Sequence, residues 1–223
     1  MFEQQKHISF DVWKTLVTPS KEYSKLRDEC ISDHLKITPE NAKALYGNVK
    51  RFLDKSAEIG NICMSTPNCW SLLEAMAKIK GTDLVALQSD VHDAFRKNLP
   101  TIYDEIIVSL QALKEDGYSI GIISNTNFVP GSVLRSSIFN EWNVFNDMLF
   151  SDEELIPKPN SEIFERMYAN VKTIIGEDTK RSEIIHVGDN KICDGISFSL
   201  GFNFLYVKDP LDLALKLNHK EAA

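Results

Sequence analysis

From Pro100 onward, short apolar runs alternate with stretches of helical period, and this rhythm restricts the possible folds more than any other feature of the chain. Ile102, Ile106, Leu110 and Leu113 recur on one helical face that closes at Gly117. Tyr118 to Ile123 predicts a buried strand and Met148 to Phe150 a shorter one. A helix is predicted from Ser161, carrying Ile163, Phe164, Met167, Tyr168 and Val171, and Ile184 to Val187 and Phe202 to Val207 predict two more strands. Alternation of this kind builds right-handed βαβ units on a parallel sheet. Near-continuous apolar strands suit a sheet covered on both faces.

The first strand stands apart from this series. His7 to Phe10 is a short apolar run that ends at Asp11, and from Pro19 to Lys97 the periods are helical. Leu84, Leu87, Val91 and Phe95 mark one helical face. Thr66-Pro67 and Thr38-Pro39 are helix starts, with Gly81 closing the helix that begins at Thr66. The expected fold is α/β: a Rossmann-like, doubly wound parallel sheet with an inserted all-helical cap. Residues 1–17 and 98–223 would form the core, and residues 18–97 the cap. The insertion leaves from the C-terminal end of the first strand, where open α/β sheets place their ligands, so it is positioned to act as a lid.

Composition narrows the class of function. With 32 acidic and 25 basic residues the formal net charge is -7, which disfavours a phosphate backbone as partner. No apolar run approaches the length of a membrane span. Met1 to Lys6 is polar and leads straight into a strand, so no secretory signal is expected. Cys30, Cys63, Cys69 and Cys193 show no CxxC spacing and are expected as reduced thiols in a cytoplasmic protein.

Polar segments follow the predicted strands at Asp11-Val12-Trp13-Lys14-Thr15, Ser124-Asn125-Thr126-Asn127 and Gly188-Asp189-Asn190, with Asp194 five residues after Asp189; Lys158-Pro159 forms a further such segment. Strand ends of a parallel sheet converge on one crevice. Three carboxylates, a lysine and a hydroxyl gathered there make a site for a cation and an anion together. Mg²⁺ prefers such oxygen ligands, and phosphoryl transfer depends chiefly on positioning and charge neutralisation.

These segments, in this order and with a helical insertion after the first, resemble the haloacid dehalogenase-like (HAD) hydrolase superfamily. The resemblance implies that Asp11 is a nucleophile forming an aspartyl intermediate that water then hydrolyses. It implies Mg²⁺ held by the Asp11 carboxylate, the Trp13 backbone carbonyl and Asp189, with Asp194 bound directly or through water. It further implies that Ser124 and the Asn125 backbone N–H bind the transferring phosphoryl group of a small phosphorylated substrate. Lys158 would keep Asp11 ionised and screen it from the incoming anion.

Trp13 departs from the phosphatases of this family, which place there a second aspartate that protonates the leaving group. An indole N–H is a donor that does not titrate near neutral pH. A carboxylate of the cap, such as Glu22 or Asp28, is a candidate replacement. Haloacid dehalogenases also carry an aromatic residue at this place and use no metal, so a metal-independent 2-haloacid dehalogenase is the alternative reading. A weakly active phosphate-binding or regulatory protein is the third. Outside the site, His34 and His92 are expected on the cap surface or in its core, His186 as a buried hydrogen-bonded histidine, and Trp70 and Trp142 as core residues.

Overall fold

The computed structural model describes residues 4–218; residues 1–3 and 219–223, the two ends of the expected core ranges, lie outside them. A five-stranded parallel sheet is built from β1 (His7–Phe10), β4 (Ser119–Ser124), β5 (Asp147–Phe150), β6 (Ile184–Gly188) and β7 (Asn203–Tyr206), in the spatial order β5-β4-β1-β6-β7. Two short strands, β2 (Val17–Thr18) and β3 (Thr101–Ile102), pair antiparallel beside it. The chain winds outward in both directions from β1, so the topological switch point lies between β1 and β6. Doubly wound sheets bind their ligands in the crevice outside the strand ends at such a point.

Alternation along each strand sorts the side chains onto two faces. Ile8, Phe10, Ile120, Ile122, Ile185 and Val187 join one core, shared with α5 (Asp104–Glu115) and α11 (Pro210–Asn218). Ile123, Leu149 and Ile184 join a second core under α9 (Ser161–Ile175), where Ile163, Phe164, Met167 and Val171 form the apolar face foreseen from their spacing. Polar residues on that second face pair across strands: His7 Nδ1 lies 3.0 Å from Ser119 Oγ, and Ser9 Oγ lies 2.9 Å from His186 Nδ1. Both pairs are register partners. Shorter helical pieces, α6 (Gly131–Leu134), α7 (Asn140–Trp142), α8 (Ser151–Glu154) and α10 (Ile196–Ser199), link the larger elements.

Between β2 and β3 the chain forms α1 (Lys21–Leu35), α2 (Pro39–Gly60), α3 (Thr66–Ala77) and α4 (Leu84–Lys97). α1 packs on α2 and α4, and α3 on α2 and α4. Thr38 and Asp83 cap α2 and α4 through side-chain oxygens that accept from Asn41 N at 3.3 Å and Ala86 N at 3.0 Å. The start of α3 differs from the expectation. Thr66 already lies inside the helix, and its hydroxyl donates instead to the Asn127 carbonyl at 2.8 Å, joining the helical layer to the sheet. α3 also stops short of Gly81, at Ala77, with Lys78 in the left-handed region. Ile102 is likewise not helical: it pairs with Val17, and α5 begins only at Asp104.

Candidate active site

Asp11 is the first residue past β1, and its N–H still donates to the Val187 carbonyl at 2.9 Å, so the sheet fixes its position. The chain then turns back on itself: the Leu16 and Val17 N–H groups both donate to the Val12 carbonyl, and Lys14 adopts a φ of 60°. This turn sets Trp13 and the exposed Lys14 at the lip of the crevice. Trp13 is half-buried, with its ring edge-on to Phe95 of α4 at 6.4 Å.

Lys158 occupies the centre. Although 2% exposed, its ammonium donates to Asp11 Oδ1 at 2.7 Å, to the Ile123 carbonyl at 2.7 Å and to Asp194 Oδ1 at 2.5 Å. Burial lowers its proton affinity, but Asp11 and Asp194 more than reverse this and hold the ammonium protonated above the ordinary lysine range. An ammonium has three protons, and all three are engaged within the protein, so Lys158 acts on a ligand through charge and not through a direct hydrogen bond. The Lys158-Pro159 peptide bond is cis. Its loop is held by Asn125, whose side chain accepts from Lys158 N at 2.7 Å and donates to Lys158 O at 2.8 Å. The Asn125 side chain is therefore committed to this clamp.

Ser124 Oγ donates to Asp11 Oδ1 at 3.3 Å from the end of β4. Asp11 Oδ1 thus has two donors, while Oδ2 has none among the described residues. Burial pushes the Asp11 carboxyl up, opposed by Lys158. Asp194 is also buried. Its Oδ1 accepts from Lys158 and lies 3.1 Å from His186 Nε2, and its Oδ2 accepts from Asn190 N at 3.0 Å. Burial raises its pKa, but Lys158 and then His186 hold it well below the usual carboxylate range. A Cβ at Gly188 would come within 2.2 Å of Asp194 Oδ2, so only glycine leaves room for this carboxylate at the end of β6.

Asp189 differs from both. It is half-buried, has no cation within ion-pair distance among the described residues, and is pushed up to about 6 by burial and then by Asp11 and Asp194. Ligand oxygens of Asp11, Asp189 and Asp194 lie within 4.8 Å of one another. Three carboxylates around one ammonium leave an excess of negative charge. An oxygen-preferring divalent cation fits this donor set. Asp189, with no cation of its own, is the open position; Asp194, engaged at both oxygens, fits contact through water better than direct ligation.

The crevice is a cavity of about 240 Å³. Its far wall comes from α2, where Lys50, Asp54 and Glu58 follow at intervals of four, and from the segment carrying Cys63 and Met64. These α2 residues are absent from the site expected from sequence. Their spacing marks one helical face, but only the packing shows that this face turns toward Asp11. The candidate acids Glu22 and Asp28 lie elsewhere: Glu22 is exposed in the first turn of α1, and Asp28 is buried and bound by Arg27. His34 pairs with Asp90, His92 lies 2.9 Å from the Phe128 carbonyl, His186 is buried between Ser9 and Asp194, and Trp70 and Trp142 are core residues.

Solved structures with this fold come from several bacteria and an archaeon. HAD-hydrolase YfnB of Bacillus subtilis, described as bound to magnesium, superimposes with a TM-score of 0.66 at 17% identity, covering 96% of this chain and 99% of that one. A HAD phosphatase of Thermococcus onnurineus gives 0.58 at 18%, covering 91% and 86%. The 2-haloacid dehalogenase of Pseudomonas syringae pv. Tomato DC3000 gives 0.61 at 17%, covering 98% and 100%. Among curated proteins, none matches this chain in sequence. At these identities the structures speak for the fold alone, and they include both phosphatase and dehalogenase chemistry. Membership rests on the sequence itself: the model of the haloacid dehalogenase-like hydrolases matches residues 28–198, from α1 to α10, and the chain belongs to that family of hydrolases.

Proposed function

We propose that this hydrolase is a Mg²⁺-dependent phosphatase of a small phosphorylated metabolite, with residues 18–97 as its cap. The observation that carries the proposal is Asp189: a carboxylate with no ion-pair partner among the described residues, whose oxygen lies within 4.8 Å of those of Asp11 and Asp194. A dehalogenase that works without metal has no use for that excess charge. Bound through Asp11, the Trp13 carbonyl and Asp189, Mg²⁺ would supply positive charge beside the transferring phosphoryl group.

Asp11 Oδ2, the oxygen without a protein donor, attacks phosphorus. Lys158 and Ser124 hold Oδ1 and so fix the rotation of the carboxylate. Lys158 also offsets charge as the anion approaches, which keeps Asp11 ionised despite burial. When substrate binds, the single Ser124 hydroxyl proton turns from Asp11 Oδ1 to a phosphoryl oxygen beside the Asn125 N–H, and Lys158 keeps its hold on Oδ1. The bond to the leaving oxygen breaks, and water later cleaves the aspartyl phosphate to release phosphate and restore the carboxylate. Trp13 contributes no proton, so the leaving group departs unprotonated or takes a proton from solvent. A cytoplasmic setting belongs to the same reading, supported by four unpaired thiols. No helix among the described residues is long and apolar enough to cross a membrane.

The test is hydrolysis of para-nitrophenyl phosphate with Mg²⁺ and with EDTA. Nitrophenol release that requires Mg²⁺ is the expected result. Trp13 favours the second reading, dehalogenation, which predicts no release in either condition and EDTA-resistant halide release from a 2-haloacid.

A further inference from the structure

Beside the phosphoryl crevice lies a second cavity of about 420 Å³. Trp13, Lys14, Lys50, Asp54, Asn125 and Asn127 line both, so the two adjoin around Trp13. The rest of the second wall comes largely from α1, α2 and α4, and it is aromatic. Tyr23 and Phe95 meet edge-on with ring centres 5.2 Å apart, and Trp13 approaches the same Phe95. Tyr46 also lines it, with the Arg27 guanidinium 3.7 Å from its ring centre and 5.8 Å from that of Tyr23.

Apart from Lys14 at the mouth shared with the crevice, the cations on this wall are paired. Arg27 donates twice to Asp28 Oδ1, at 2.9 and 2.6 Å, and Lys50 donates to Asp54 at 2.7 Å. Away from Lys14 the chamber therefore presents ring surface and paired charges, and a second dianion is poorly served in its interior.

Two observations converge on the leaving group. It must depart past Trp13, which cannot give it a proton, so it has to be a weak base. It must also fill an aromatic-lined chamber, where rings pack edge-on or offset. We propose that the substrate is an aryl phosphate whose ring sits between Trp13, Tyr23, Tyr46 and Phe95 while its phosphoryl group faces Asp11. This inference rests on the phosphatase reading and names the class of its substrate. The Asp11–phosphorus bond forms as the phosphorus–aryl oxygen bond breaks; the electron pair leaves on the aryloxide, which takes its proton from solvent.

The test compares para-nitrophenyl phosphate with acetyl phosphate in Mg²⁺. Both have good leaving groups, and only one carries a ring. Wild-type protein is expected to favour the aryl ester in kcat/KM by roughly tenfold or more. Ser24→Trp fills the chamber from its α1 wall and is expected to raise KM for the aryl ester by roughly tenfold, with turnover of acetyl phosphate within about twofold of wild type. Acetyl phosphate turned over as well as the aryl ester, or both esters affected equally or not at all by Ser24→Trp, would overturn the chamber and leave the phosphatase standing. Failure of wild-type protein to hydrolyse either ester would overturn both.

Discussion

Lys158 concentrates the energetics of the site at the scale of one residue. Its ammonium is the only cation that contacts the buried Asp11 and Asp194 among the described residues. Removing one partner of a buried ion network leaves uncompensated charge, which typically costs about 3–5 kcal/mol. Lys158→Met is therefore expected to lower the urea-unfolding free energy at pH 7 by about that amount, in addition to abolishing turnover. Asp11→Asn has a different signature. It preserves shape and leaves Lys158 paired with Asp194, so the thermal midpoint should stay within a few degrees of wild type while Mg²⁺-dependent hydrolysis disappears. Substantial residual hydrolysis in this variant would refute Asp11 as the nucleophile. Both residues are conspicuous in the sequence, because each sits in a short polar segment of the expected kind. What the sequence does not show is that all three Lys158 protons end on protein oxygens, or that the Asn125 side chain is spent on the Lys158 backbone. Those follow from where two loops meet.

The element scale explains how four separate segments hold one geometry. β1 and β6 are neighbours in the sheet, so Asp11 and Asp189 emerge side by side. β4 brings Ser124 from the other flank. The end of β6 depends on Gly188, since Asp194 folds back over it. Gly188→Ala would press a methyl group into the Asp194 carboxylate, and overpacking of this kind costs about 1–3 kcal/mol. The expected outcome is a destabilisation in that range by urea titration, with turnover reduced more than stability because Asp194 must leave Lys158 or His186. Wild-type activity in Gly188→Ala would show that the Asp194 position is not needed. α2 makes the opposite point about legibility. Its start at Thr38-Pro39 is plain in the sequence, and the helix runs from Pro39 to Gly60. Its stripe of Lys50, Asp54 and Glu58 looks like any solvated helix face until α2 packs against the sheet.

At the scale of the whole molecule, histidines buried in and around the sheet set the response to acid. His7 is fully buried, and burial, then the nearby His186, lower its pKa from 6.5 to about 3. His186 and His92 are lowered for the same leading reason, burial. The folded protein thus resists protonation at His7 between pH 6.5 and about 3, whereas the unfolded chain accepts it. Stability is intact above pH 6.5 and is lost progressively as pH falls through that window. At pH 5 the loss from His7 alone is about 2 kcal/mol relative to pH 7. Urea midpoints measured at the two pH values should show it, and His7→Gln, which can still bond Ser119, should reduce the difference. An unchanged pH response in His7→Gln would assign the acid sensitivity to other groups.

The sequence by itself determined the α/β class, the helical insertion after the first strand, and the polar segments that carry Asp11, Ser124, Lys158 and Asp189. These follow from period, apolar runs and turn chemistry, which are local properties. Strand limits shifted by a residue or so, and Thr66 and Ile102 changed roles, because caps and short ribbons are decided by what the neighbouring elements offer. Only the tertiary structure decided that Asp194 is saturated while Asp189 is open, that α2 faces the crevice, and that Trp13 borders an aromatic chamber. Each of these depends on contacts between residues tens of positions apart or more, or on whether a nearby group is already engaged. Periodicity marks the face a helix presents but not what stands opposite it.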